Sequence, residues 1–223
     1  MFDKLFGNKK TRVRNILICI IPLVLVVIFL VVTLINSFSK ITSGSVEEDN
    51  KNKIEEYNYV LRQNATAYQQ ELFEELKDSI KSGDDLKCAE AVVKNYIADF
   101  YTWTNKSGSY DVGGIYYVYS PNKKSIALDA RMHFYKYLNY YINKFGNDKL
   151  LEVVNIEVLQ SYANTGKYES IPGKSFDSFY IECSWDYNNY SFDRTTDYMK
   201  KGYFTVIKNI DGRYEIVEAW GDE

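Results

Sequence analysis

The sequence has few of the residues on which metal binding and common catalytic chemistry depend. Its 223 residues include one histidine, His133, three cysteines and three prolines. A single histidine with scattered cysteines does not provide the ligands of a usual zinc site. Gly113-Gly114 lacks the lysine and spacing of a phosphate-binding loop, and no G-x-S-x-G nucleophile elbow occurs. We therefore expect no cofactor, no metal and no catalytic residue.

A long uncharged segment dominates the N-terminal part of the chain. The run from Ile16 to Ile35 contains no charged residue, and at 1.5 Å per residue a helix of about 20 residues spans the roughly 30 Å of a bilayer core. The sequence therefore predicts a transmembrane helix at 16–36 that contacts membrane lipid. A signal peptide cleaved near Ser37-Phe38-Ser39 is the alternative, although the apolar core of a signal is usually only about 7–15 residues long.

The charges on the two sides of this run predict the topology. Residues 1–15 contain five basic residues against Asp3 alone, whereas the whole chain has a net charge of −3. Basic flanks remain on the cytoplasmic side, so the N-terminus is predicted to be cytoplasmic and the C-terminal domain extracytoplasmic in the cell membrane. Because that domain is net acidic, we expect it not to bind nucleic acid directly.

Residues 37–84 are predicted to form a connector and a stalk helix. The segment is polar up to residue 53, and a helical pattern begins at Ile54. The heptad pattern is not sustained, so both coiled-coil dimerisation and packing of the helix on its own domain stay open. Gly83 and Asp84 are typical of a helix end followed by a helix N-cap.

Residues 85–223 are predicted to form one α+β domain. The apolar periodicity indicates helices at about 85–104 and 124–145, the second ending at Gly146, with a short strand at 115–119 between them. The period then changes to two, which predicts four antiparallel strands packed against the helices. These strands are expected at 151–162, 179–187, 202–209 and 213–220.

Three further residues bear on the interior of this domain. Cys88 and Cys183 either pair in an oxidising compartment or remain unpaired as small buried residues, which is the interpretation we favour. Arg131 lies in the apolar stripe of the second helix, where it either pairs with an acid or extends to solvent along its aliphatic stem, and we favour the second.

The order of these elements resembles the cone-shaped fold of the nuclear transport factor two-like superfamily. The resemblance rests on the segments AEAVVKNYIADFYTW, GGIYYVYSP and ARMHFYKYLNYYINKFG and on the four closing strands, and it covers about residues 85–220. With the basic tail and the single anchor, the chain resembles the VirB-eight-type bitopic scaffold subunits of type IV secretion and conjugation channels. That resemblance implies a curved sheet, no catalysis, contacts with other secretion subunits and possible homo-oligomers.

A non-enzymatic assembly subunit is therefore the expected function. One alternative is a binding module in which Phe179, Ile181 and Trp185 line the cone cavity and hold an apolar ligand or a cell-wall fragment. A second alternative is a cone-fold enzyme, in which Asp99 would reach the cavity and His133 would act as an acid or base. His133 is about 140° from the apolar stripe of its helix, so it is predicted to face solvent instead.

Overall fold

The computed structural model describes residues 52–171, 173–188 and 198–221. The predicted basic tail, the predicted transmembrane helix and the predicted connector up to residue 51 lie outside these residues. In the part of the chain that is described, no helix has the length and apolar character needed to cross a membrane. From Asn52 onward the chain forms one compact unit, which includes the predicted stalk helix.

The described residues have the predicted α+β architecture, with four helices packed on an antiparallel sheet. The helices are α1 (Ala67–Ser82), α2 (Asp85–Phe100), α3 (Lys123–Met132) and α4 (Leu138–Phe145). The strands are β1 (Lys53–Ile54), β2 (Tyr59–Val60), β3 (Val153–Ala163), β4 (Tyr168–Ile171), β5 (Lys174–Tyr187), β6 (Lys201–Lys208) and β7 (Tyr214–Gly221).

The prediction that the helical pattern begins at Ile54 is wrong. The short strands β1 and β2 pair with each other, and α1 begins only at Ala67. Thr66 and Gln69 form a capping box there, each side chain bonding the other residue's backbone N–H, which fixes the first turn. Leu72, Phe73 and Leu76 of α1 are buried in the same core as α2, so this helix packs on its own domain.

The predicted connection between α1 and α2 is confirmed. Gly83 ends α1 with a φ of 70°, in the left-handed region that favours glycine, and the Asp84 side chain accepts a hydrogen bond from the Lys87 N–H at the start of α2. Helix α2 ends at Phe100 rather than near 104. The N–H groups of Trp103 and Thr104 bond to the Leu151 carbonyl, two residues before β3, and so leave the helical pattern.

The predicted strand at 115–119 is also wrong. Gly114 has a φ of 73° and turns the chain into a 3₁₀ turn at Ile115–Tyr117. Only Val118 makes a strand-like contact, a parallel bridge to Ile216. The alternation of Ile, Tyr and Val suits a strand, but the turn that begins at Gly114 takes up the first three of these residues and leaves only Val118 to form a bridge.

The predicted helix at 124–145 is broken into α3 and α4. Tyr135 is fully buried, its hydroxyl donates to the Phe100 carbonyl, and its N–H bonds five residues back to Ala130. The wider turn that this bond closes interrupts the α-helical pattern. Leu128, predicted to lie in the same apolar stripe, is therefore 58% exposed. Helix α4 ends at Gly146 as predicted.

The four predicted strands form one sheet in the order β3-β5-β6-β7, with every neighbouring pair antiparallel. The sequence analysis missed β4, a four-residue strand that pairs with the first part of β5. A register shift between Val153 and Asn155 also breaks the alternation at the start of β3. Val153 and Ile156 are buried, whereas Val154, which a strict period of two places on the same face as Ile156, is 43% exposed.

Helix α2 packs across the inward face of the sheet. The predicted alternation in β5 is confirmed, because its odd-numbered residues from Phe179 to Tyr187 are all buried. Cys88 on α2 and Cys183 on β5 are both free and buried, as favoured from the sequence. The core is therefore formed mainly by α2 and by the inward residues of β5, β6 and β7.

Candidate functional site

The three residues predicted to line a cavity are packed in the hydrophobic core. Phe179, Ile181 and Trp185 are 4%, 0% and 2% exposed. The indole N–H of Trp185 donates to the Tyr187 hydroxyl at 3.1 Å, and its ring centroid lies 4.7 Å from that of Tyr101. These side chains contribute to folding stability, and the open groove described below is lined by other residues.

Asp99 belongs to a network of charged groups between α2 and the loop that follows it. Its Oδ1 lies 2.8 Å from Arg62 Nε and 3.0 Å from Lys106 Nζ. Its Oδ2 accepts the N–H of Gly114 at 2.6 Å. Arg62 also pairs with Asp111 at 3.0 Å, so two carboxylates and two cations alternate.

The side chain of Lys106 is completely buried, with an exposed fraction of 0%. Its ammonium donates to the Asp99 carbonyl at 2.8 Å and to Asp99 Oδ1 and Asn105 Oδ1 at 3.0 Å each. Burial lowers the pKa of Lys106 to about 8, although the nearby Asp99 carboxylate opposes this change. Burial alone would raise the pKa of Asp99, but Lys106 and Arg62 outweigh it and hold that pKa below its ordinary value.

The network holds the chain in place and leaves no room for a substrate. The void beside Arg62 and Asp99 measures about 10 Å³, about the space that one water molecule needs. A Cβ at Gly113 would collide with the Asp99 carbonyl, so the loop approaches α2 as closely as a glycine allows. This arrangement gives Asp99 a structural role in fixing the loop to α2.

His133 faces solvent as predicted and lies in the turn between α3 and α4. Its side chain is 72% exposed, and its Nδ1 lies 2.9 Å from the equally exposed Asp129 carboxylate. Arg131 is exposed nearby and donates to the Tyr110 carbonyl at 3.1 Å rather than to an acid. An exposed contact between an imidazole and a carboxylate carries little energy and lacks the enclosed geometry of an acid–base site.

An open groove of about 710 Å³ lies between α3 and β7. One wall is a single face of α3 and its preceding residue, and the other is the second half of β7, while α2 supplies an aromatic floor. The residues that line it are Tyr96, Phe100, Tyr101, Asn122, Ser125, Ile126, Asp129, Ala130, Tyr168, Val217, Glu218, Ala219 and Trp220.

The groove runs along the edge of the sheet. Successive residues of a strand point to opposite faces, so a groove over a sheet face would be lined by alternate residues. Here Glu218, Ala219 and Trp220 are consecutive, pair regularly with β6 beyond a bulge at Val217, and all line the groove. In the described part of the chain, backbone pairing on the outer side of β7 is found only near Ile216, whose carbonyl accepts the Tyr119 N–H. The edge from Glu218 to Trp220 therefore faces the groove, and no described residue pairs with the outer side of its backbone.

The charged residues among those that line the groove are acidic. Asp129 stands on the α3 wall, and Glu218 stands on the β7 wall. Glu218 accepts hydrogen bonds from the Thr205 hydroxyl at 2.9 Å and the Tyr168 hydroxyl at 3.3 Å. These neutral donors orient the Glu218 carboxylate without cancelling its charge.

A row of aromatic side chains crosses the outward face of the sheet and meets the groove at Trp220. The Tyr162 and Tyr180 rings are stacked 4.9 Å apart, and Tyr203 lies 6.4 Å from Tyr180. Trp220 is directly opposite Tyr203 across β6 and β7, and it is 65% exposed. The sequence analysis assigned none of these residues to a site, because the register between strands, which brings their rings together, is not visible in the sequence.

The site shows no sign of a metal centre, since the described residues contain no group of three histidine, cysteine, aspartate or glutamate side chains suited to one. Compared with protein-family models, with curated proteins and with solved structures, the chain has no significant match.

Proposed function

We propose that the chain is a non-enzymatic, membrane-anchored assembly subunit that acts through protein contacts. The observation that carries this proposal is the open groove at the edge of β7, which continues into the aromatic row at Trp220. Exposed tyrosine and tryptophan beside a groove are typical of protein interfaces, because their rings bury a large area at a small cost in conformational entropy.

The state of the polar residues supports binding rather than catalysis. Asp99 bonds two cations and a backbone N–H, and all three hydrogens of the Lys106 ammonium have acceptors. His133 is exposed and paired with Asp129. The groove itself contains two carboxylates among many aromatic and apolar groups, a composition that suits recognition.

The proposed apparatus is a conjugative transfer or type IV secretion system. The uncharged run at 16–36 and the basic tail before it support a single membrane anchor with the domain outside the cytoplasm. Helices packed on one antiparallel sheet support the resemblance to the cone-shaped domains of the VirB-eight-type subunits. The partners are then other membrane subunits of the same apparatus and further copies of this chain.

Site-specific photo-crosslinking of the full chain in its own cells tests the proposal. A photoreactive phenylalanine analogue at Trp220 is expected to give adducts with proteins of the apparatus. Ile210, 93% exposed in the turn between β6 and β7, provides a matched control position at the other end of the same strand. Identical adducts from both positions, or none from Trp220, would contradict the proposal.

Protease treatment of intact cells, with the wall removed, tests the topology separately. Digestion of the domain is expected, whereas the tail before the anchor stays protected. A domain that resists digestion until the membrane is opened would reverse the proposed orientation and remove the secretion-system part of the proposal.

A second candidate function is the binding of a cell-wall fragment in the groove. Trp220 and Tyr168 offer rings for stacking, and Asn122, Asp129 and Glu218 offer polar groups for hydroxyls. Titration of the full chain with soluble cell-wall fragments would show this as saturable binding that is lost on Trp220→Ala. An absence of binding would leave protein contact as the function of the groove.

A further inference from the structure

Apart from a β-bulge at Val217, the edge of β7 lacks the features that usually protect an edge strand. Natural sheets discourage pairing at their edges with lysine, proline, a bulge or a covering segment. Beyond the bulge, the residues Glu218–Gly221 pair regularly with β6 and contain no lysine and no proline. In the described residues, backbone pairing on the outer side of β7 ends at Ile216. A regular edge with unpaired backbone beside a groove is the arrangement to which an extended peptide adds as a further strand.

The length of the open edge suits a short added strand. The four regularly paired residues from Glu218 to Gly221 extend about 13 Å at roughly 3.3 Å per residue. Helix α3 forms the opposite wall and contributes Ile126 and Ala130. A strand placed between β7 and α3 would be held by backbone hydrogen bonds on one side and by apolar contacts on the other.

The lining predicts the side chains of the added segment. Residues of a strand alternate between two faces, so one set would contact the aromatic floor formed by Tyr96, Phe100 and Tyr101. The other set would approach the carboxylates of Glu218 and Asp129. Apolar residues suit the first set, and lysine or arginine suits the second by charge complementarity.

We infer that the groove binds an extended segment of a partner protein, with alternating basic and apolar residues, that adds to β7 as a strand. This inference rests on the proposed protein-binding function and names the partner chemistry of the same site. A second copy of this chain is disfavoured as the occupant, because pairing of two β7 edges would bring two acidic grooves together. A glycan is disfavoured because it would leave the backbone edge unused.

Three synthetic peptides test the inference on the full chain in detergent micelles by fluorescence anisotropy. The first alternates lysine with valine and phenylalanine, the second replaces each lysine by glutamate, and the third is the first with N-methylated backbone amides. The basic peptide is expected to bind at least about tenfold more tightly than each of the others, a difference of about 1.4 kcal/mol. Because only the peptide changes, the fold of the protein is not perturbed.

Charge reversal in the groove provides the complementary test. Asp129→Lys and Glu218→Lys are each expected to lower the affinity for the basic peptide at least about tenfold and to reduce the salt dependence of its binding. Glu157→Lys makes the same change at an exposed position of β3 outside the groove and serves as the matched control, with affinity expected within about twofold. Asp129 is 73% exposed, so its replacement leaves the fold intact even if Glu218→Lys does not.

Three outcomes would overturn the inference: no binding of the basic peptide, equal binding of the N-methylated peptide, or equal loss in Glu157→Lys. Self-association of the chain that is abolished by Asp129→Lys would assign the groove to a second copy instead. If crosslinks from Trp220 reach partner proteins while the peptide tests fail, protein binding stands and strand addition is wrong. If neither test succeeds, the proposed function fails as well.

Discussion

Replacement of Asp99 by asparagine removes the negative charge at the centre of the buried network while keeping the side-chain shape. Lys106, which is 0% exposed, and Arg62, whose side chain is 15% exposed, then lose the carboxylate that lies within 3.0 Å of both. Removing one partner of a buried ion pair costs about 3–5 kcal/mol, because the remaining charge stays desolvated. For a domain of this size, that loss lowers the melting temperature by roughly 6–20 °C.

Urea unfolding of the unit from Asn52 onward measures this cost through the fluorescence of Trp103 and Trp185, which are both buried. The double variant Asp99→Asn/Lys106→Met removes both charges, and we expect it to be less destabilised than the sum of the two single variants by about 0.5–3 kcal/mol. Asp129→Asn removes an exposed carboxylate whose partner, the His133 imidazole, is exposed as well. It is the matched control and is expected to change stability by less than about 0.5 kcal/mol.

The pH dependence provides an independent check on the same reasoning. Arg62 and Lys106 hold the folded-state pKa of Asp99 below the unfolded value. The stability that the ionised Asp99 carboxylate adds is therefore fully present above about pH 4, and it is lost as the pH falls through the folded pKa. The stability difference between the wild type and Asp99→Asn should therefore shrink below about pH 4. A difference under about 1 kcal/mol at neutral pH, or one that grows in acid, would refute the network as a source of stability.

Three other predictions follow from the packing. Gly113→Ala is expected to cost about 1–3 kcal/mol in urea unfolding, because its Cβ would meet a carbonyl of α2, whereas Gly166→Ala, with open space around it, should be neutral. Leu128→Gln should change stability by less than about 0.5 kcal/mol, and a larger loss would mean that Leu128 is buried after all. Cys88 and Cys183 should resist alkylation until the chain unfolds, because burial raises both thiol pKa values, that of Cys183 to about 12, and rapid labelling of the native protein would contradict this.

Local signals in the sequence were sufficient where one short-range interaction decides the structure. The glycine and aspartate at 83 and 84 end one helix and start the next, and their roles depend only on φ and on one side-chain bond. The clean alternation from Phe179 to Tyr187 likewise fixed the inward face of β5. In both places, local preference and tertiary packing favour the same conformation.

The predictions failed where tertiary packing outweighs a local pattern. In one continuous helix, Leu128 and Tyr135 are seven residues apart and share a face. In the structure Tyr135 is 0% exposed and Leu128 is 58% exposed. The hydrogen bond from Tyr135 to the Phe100 carbonyl holds the chain in the turn that separates α3 from α4, and a carbonyl at the end of another helix leaves no trace in the local sequence.

The same break determines the candidate groove. Because the helix is interrupted there, the face of α3 that turns toward β7 carries Ile126 and Ala130 rather than Leu128. The hairpins that join the last strands make β7 a reasonable edge from sequence alone, but the groove beside that edge also requires the second wall that α3 forms. That wall depends on where α3 ends. The function proposed for the groove therefore depends on one long-range contact, that of Tyr135 with α2, as much as on the residues that line it.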